Sequence, residues 1–135
     1  AELLSQWRDG RIKQALIARV LDLRQAHTAL FRRGAYLPLT VQGRHAEQVL
    51  AFARLGEGER AIVVVPRLAS GLLGAAPTPL LPAQNWDDTR LILPFALSPA
   101  HCTGLFPHTA VSPSRELMLS ALLEAFPVNL LIETA

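Results

Sequence analysis

Ala29-Leu30-Phe31-Arg32-Arg33-Gly34-Ala35-Tyr36-Leu37-Pro38-Leu39 decides how the chain is read, because one hydrophobic period ends inside it and another begins. Upstream, spacing residues at about 100° puts Ile12, Leu16, Val20 and Leu23 on one helix face, and Ile17 and Leu21 widen the apolar arc to about half the circumference. An arc that wide suits a helix packed on two sides. Asp9 is placed to cap its start by accepting a backbone N–H bond, and Gly34 to end the segment in a left-handed conformation after a loose turn over 28–33. Lys13 and Arg24 fall inside the arc. They read either as cations reaching outward along apolar stems or as partners for acids on a neighbouring surface.

Downstream, short apolar runs separated by turn residues replace the helical period. Residues 36–41 alternate around Pro38, Gln42-Gly43-Arg44 supplies a turn, 49–54 is a compact apolar strand, and Gly56-Glu57-Gly58 turns into a strand over 61–65. Residues 66–86 hold prolines and glycines without a helical period and read as a long loop with room for a short edge strand. Strands resume at 89–93, 102–106, 117–119 and 128–132, with a short helix at 120–125 that Pro127 ends. The expected fold is mainly β: an antiparallel β-sandwich preceded by one N-terminal amphipathic helix.

Size and composition narrow the function classes. At 135 residues the chain builds one ordinary core and has no room for a catalytic barrel of roughly 200 or more residues beside it. Hydrophobic residues make up 50% and the mean hydropathy is +0.27, which leaves apolar surface for a partner. A net charge of +2, with the cations scattered along the chain, gives little steering toward phosphates and argues against nucleic acid. No apolar run is long enough to span a membrane and no signal peptide opens the sequence, so the chain reads as soluble and unprocessed. The single Cys102 has no disulfide or CxxC partner, which fits a reducing cytoplasm.

Several local groupings invite chemistry that their spacing does not support. Trp86-Asp87-Asp88 sets two acids beside an aromatic ring, but adjacent side chains in an extended segment point to opposite faces and cannot converge on one glycosidic bond. A turn with a half-buried tryptophan is the plainer reading. His101, Cys102 and His108 match no standard zinc spacing and lack a fourth ligand. Ser70 and Ser112-Pro113-Ser114 lack the G-x-S-x-G context of an activated serine and read as turn residues. Gly71-Leu72-Leu73-Gly74 lacks the length and Lys-Ser/Thr ending of a phosphate loop and reads as a flexible loop. Trp7 and Tyr36 read as packing residues rather than sugar platforms. No catalytic, cofactor-binding or metal-binding residue is assigned, and no cofactor is expected.

The combination Asp9-Gly10-Arg11-Ile12-Lys13, Leu21-Asp22-Leu23-Arg24, Ala29-Leu30-Phe31-x-x-Gly34-x-Tyr36-x-Pro38-Leu39, Val49-Leu50-Ala51-Phe52-Ala53-Arg54, Val63-Val64-Val65-Pro66-Arg67 and Phe126-Pro127-Val128 resembles the C-terminal region of bacterial malto-oligosyltrehalose synthases. These belong to the α-amylase superfamily, in which a (β/α)8 barrel carries the active site and a β-sandwich follows its last helix. The resemblance implies that residues 1–34 end a barrel and that 35–135 form the C-terminal sandwich. It implies a parent enzyme, of the isomerase class, that converts the reducing-end α-1,4 bond of a maltodextrin to an α,α-1,1 bond. Such retaining chemistry needs two carboxyl groups about 5 Å apart. They lie in barrel motifs absent from this chain, so the segment alone is expected to be inactive, with the missing barrel of the same polypeptide as its partner.

Three readings follow. The first is this non-catalytic stabilising domain, with contact to the malto-oligosaccharide left open. The second is a free-standing carbohydrate-binding module using Trp86, Asp87 and Asp88. The third is a small interaction protein that docks through its helix.

Overall fold

The computed structural model describes residues 2–106, 111 and 113–135. It opens with helices α1 (Glu2–Ser5), α2 (Arg11–Ala26) and α3 (Thr28–Arg33), with a 3-10 turn at Trp7–Asp9 between the first two. Eight strands follow among the described residues: β1 (Ala35–Pro38), β2 (Thr40–Gln42), β3 (Val49–Leu55), β4 (Glu59–Pro66), β5 (Arg90–Ile92), β6 (Cys102–Gly104), β7 (Glu116–Met118) and β8 (Asn129–Thr134). They form a five-stranded sheet ordered β1-β3-β4-β8-β6 and a three-stranded sheet ordered β2-β5-β7, with every pairing antiparallel. This is the expected β-rich sandwich, entered through several helical pieces rather than one helix.

The inner faces of both sheets meet in a single core. Val49, Ala51 and Ala53 of β3, Ile62 and Val64 of β4, and Leu131 of β8 pack with Leu91 of β5 and Leu117 of β7. Alternation along β3 explains the choice of residues: odd positions point inward, and two alanines there leave room for the opposing layer. Trp86 fills this core completely enclosed, as do Leu119 and Leu123.

Residues 36–41 are not one strand. Leu39 separates β1 from β2, and the chain passes from the edge of one sheet to the edge of the other. Pro38, which has no N–H to donate, is tolerated because β1 is an edge strand. The stretch 28–33 is helix α3 rather than a loose turn, tied on by Phe31 N–H to the His27 carbonyl. Gly34 is extended at φ −61°, not left-handed, since it runs straight into β1. Its glycine serves close approach instead: a Cβ there would lie 2.3 Å from the Leu30 carbonyl oxygen.

Asp9 accepts the Arg11 backbone N–H at 3.0 Å as expected, although Gly10 occupies the capping position. That N–H and the Arg11 guanidinium hold the Asp9 carboxyl below its ordinary value of 3.8. A lowered carboxyl stabilises the folded form above its unfolded pKa and loses this as pH falls through the folded one. Acid therefore weakens this tie at the start of α2.

Residues 66–86 carry no edge strand; they contain one helical turn, α4 (Ser70–Leu73), and a 3-10 turn at Ala83–Trp86. Ser70 and the Gly71-Leu72-Leu73 run thus belong to a helix whose leucines pack on the core, not to a flexible loop. Near the C-terminus, Leu119 begins helix α5 (Leu119–Leu122) rather than ending a strand. This helix is a single turn, shorter than expected.

Trp86→Ala is expected to cost about 3–5 kcal/mol in chemical denaturation, because the ring leaves a cavity the surrounding leucines cannot close.

Candidate functional site

The groupings singled out in the sequence resolve into structural roles. Trp86 is fully buried, so its ring presents no face to a sugar. Asp87 and Asp88 both turn toward Arg44: the Arg44 backbone N–H donates to Asp88 Oδ1 at 2.9 Å, and its guanidinium to Asp87 Oδ2 at 3.3 Å. Beside them the His45 N–H donates to the buried Thr89 hydroxyl at 3.1 Å. Gly43 lets these turns touch, since a Cβ there would sit 2.6 Å from Thr89 Cα and its φ is +113°. The acids clamp β2 to β5; they do not point to opposite faces as an extended segment would place them, because Asp87 turns with φ +54° and both reach the same residue. The half-buried tryptophan expected in this turn is instead wholly inside.

His101 is exposed in a 3-10 turn and Cys102 is half-buried at the start of β6, while His108 and Ser112 lie outside the described residues. Among the described residues no group of three or more His, Cys, Asp or Glu side chains could hold a metal ion. Burial, then the Glu133 charge, pushes the Cys102 thiol up to about 11. Trp7 is half-buried, its indole N–H donating to the Pro77 carbonyl at 3.3 Å.

What the structure leaves unfinished is an apolar face. On α2, Leu16, Val20 and Leu23 pack against a second cluster of Leu30, Ala61, Leu105, Leu130 and Ile132, on the side of the five-stranded sheet away from the sandwich core. His27 fastens the end of α2 to β4 through Nδ1 to Glu59 Oε1 at 2.8 Å. The helix covers only part of that side. Ile17 is 50% exposed and Leu21 54%, and Lys13 and Arg24 are exposed beside them. On the sheet, Tyr36 is 55% exposed and Leu50 50%, with Phe52 lying 5.1 Å from the Tyr36 ring.

Between α2 and the uncovered strands runs a groove of about 360 Å³, walled by Val20 and Arg24 on the helix and by Phe52, Arg54, Val63 and Val65 on the sheet. Large apolar groups exposed in one contiguous region mark a docking surface more often than a soluble exterior. Tyr36, read as a packing residue rather than a sugar platform, lies against Phe52 on one side and is exposed on the other. Arg54 is the cross-strand partner of Tyr36 on β3. The signal was present in the sequence, since residues 49–53 and 61–65 are apolar at odd and even positions alike and so demand cover on both faces.

No protein-family model and no curated protein sequence matches the chain. Among solved structures, maltooligosyltrehalose synthase from Arthrobacter ramosus matches with a TM-score of 0.60 and 29% identity, covering 87% of this chain and 13% of that enzyme. A point mutant of the same enzyme matches with a TM-score of 0.61 at the same identity and coverage. This chain is similar to a small part of a maltooligosyltrehalose synthase. The resemblance carried by the sequence pieces is thereby borne out, and the extent of the match is consistent with a C-terminal region. No helix among the described residues is long and apolar enough to cross a membrane.

Alkylation of Cys102 by iodoacetamide at pH 8 should run at least about tenfold slower in the folded chain than in denaturant, because the thiolate is scarce where the pKa is raised.

Proposed function

We propose that the chain is the C-terminal, non-catalytic domain of a malto-oligosyltrehalose synthase, with residues 1–34 ending the catalytic barrel and 35–135 forming the sandwich that stabilises it. The observation that carries this reading is the pairing of a 29% identical match across 87% of the chain with an apolar face that the chain itself does not cover. The parent enzyme would convert the reducing-end α-1,4 bond of a maltodextrin to an α,α-1,1 bond, an isomerisation in the cytoplasm, using carboxyl groups of the barrel. The present residues contribute cover and rigidity.

Packing energetics supports the assignment. Ile17 and Leu21 lie on the arc of α2 next to the inner stripe, where a second layer would bury their remaining exposed half at a gain of about 1 kcal/mol each. The free-standing carbohydrate module loses its motive, since Trp86 is enclosed and both acids are engaged by Arg44.

Two measurements test the proposal. Ile17→Asp with Leu21→Asp should leave the denaturation midpoint of the 135-residue chain nearly unchanged, as surface substitutions do. In the polypeptide encoded by the complete reading frame it should lower the melting temperature and increase aggregation; equal effects in both would remove the docking role. With maltopentaose as substrate, the 135-residue chain should give no trehalose-capped product. Turnover by this chain alone would overturn the placement of catalysis in the barrel.

A further inference from the structure

Asp9-Gly10 stands at the hinge between the 3-10 turn Trp7–Asp9 and α2. In any Asp-Gly pair the glycine nitrogen is able to attack the aspartate side-chain carbonyl carbon, because no Cβ on the second residue obstructs it. Three features favour that attack here. Gly10 is left-handed at φ +81°, and nothing lies within 4 Å of where its Cβ would be. Its N–H makes only a long bond, 3.3 Å to the Trp7 carbonyl oxygen. The Asp9 side chain is 41% exposed, so water reaches it.

Arg11 opposes the attack. It holds the Asp9 carboxylate by both oxygens, its backbone N–H donating to Oδ1 at 3.0 Å and its Nε to Oδ2 at 2.7 Å. The guanidinium is itself steadied, since Nη2 donates to the Gln6 side-chain carbonyl. This hold acts in two ways. It fixes the side-chain torsions on which the approach of Cγ to the Gly10 nitrogen depends, and it favours the ionised carboxyl over the acid. An ionised carboxylate is the poorer electrophile, because attack on it must expel oxide where the acid expels water.

We propose that Asp9-Gly10 is a site of spontaneous isoaspartate formation whose rate is set by the hold of Arg11 on the Asp9 carboxyl. In the first step the Gly10 nitrogen bonds to Asp9 Cγ, its proton leaves with the carboxyl hydroxyl as water, and a five-membered succinimide closes. In the second, water adds at the main-chain carbonyl carbon of Asp9 and breaks that carbon's bond to the Gly10 nitrogen, which takes up the proton. One water leaves and one returns, so no oxidant, reductant or other reactant is required. The chain then runs through the Asp9 side chain, lengthened by a methylene, and the free carboxyl sits on Cα. Placed there, it no longer has the reach of a side chain toward the Arg11 N–H, and the start of α2 loses its tie.

The test is incubation of the 135-residue chain at about pH 6, where carboxylates are ionised in folded and unfolded chains alike. Isoaspartate at residue 9 is followed with a protease that cleaves at aspartate but not at isoaspartate, and the succinimide by mass spectrometry as a species lighter by one water. Arg11→Met removes the guanidinium and keeps the backbone N–H; its side chain is 54% exposed, so the fold is retained. It should accelerate conversion of the folded chain about threefold, the effect of losing one exposed ion pair. In denaturant the variant and the wild-type chain should convert at one rate, since the hold exists only in the folded turn.

Arg8→Met is the control for general loosening of the turn. Arg8 lies over the Trp7 ring and makes no bond to Asp9 among the described residues, so its loss should leave the rate unchanged. Acceleration by Arg8→Met equal to that by Arg11→Met would make loosening of the turn the cause and overturn the role of Arg11. Equal rates for folded wild-type chain and Arg11→Met would overturn it as well. Isoaspartate at residue 9 in the denatured chain but in neither folded one would show that Asp9-Gly10 is not a site in the folded protein.

Discussion

Burial of β4 and β8 on both faces is the constraint on which the rest of the structure depends. Ile62, Val64 and Leu131 point into the sandwich, while Ala61, Leu130 and Ile132 point outward under the helices. A sheet with apolar groups on both sides cannot stand with one face in water, so α2 and α3 are a necessary third layer. The seam is closed by polar bonds at its ends: His27 with Glu59, and Arg54 with the Phe31 carbonyl. Those bonds fix the helices in place, whereas the apolar contacts supply the drive.

The third layer is incomplete in a definite direction. Over Ala61, Leu130 and Ile132 the helices fit, with Leu30 enclosed beneath them. Toward β1 and β3 the cover stops, and Tyr36, Leu50 and Phe52 lie at the open side together with the groove under α2. An α2 with Ile17 and Leu21 exposed on the adjacent arc belongs to the same unfinished surface. The structure this chain resembles is a small part of a much longer synthase.

The opposite layer is organised by turns rather than by long strands. The three-stranded sheet has strands of only three residues each, too short to hold their register through ladder bonds alone. Asp87, Asp88 and Thr89 supply the missing ties through Arg44 and His45, and Gly43 allows the backbones to meet. The acids that suggested a sugar site are structural fasteners for this small sheet. Trp86 immediately before them is the plug that makes the short sheet adhere to the long one.

Periodicity carried much of this architecture. The stripe Ile12, Leu16, Val20 and Leu23, the strands around 49–54 and 61–65, and the broad arc reaching Ile17 and Leu21 were all legible because helix and strand place side chains at fixed angles. The sequence pieces were also sufficient to mark the resemblance to the synthases. What they left undetermined was every feature set by contacts distant in sequence. The extended conformation of Gly34 follows from the pairing of β1 with the end of β3, where the Leu55 carbonyl approaches it, and the split of 36–41 follows from the need to pair with β3 and then β5. The enclosure of Trp86 depends on two sheets closing around it, and the exposure of Tyr36 on a helix layer that ends before reaching it. Local patterning determines which faces are apolar, but which of those faces finds cover depends on the lengths and crossings of elements that meet only in three dimensions.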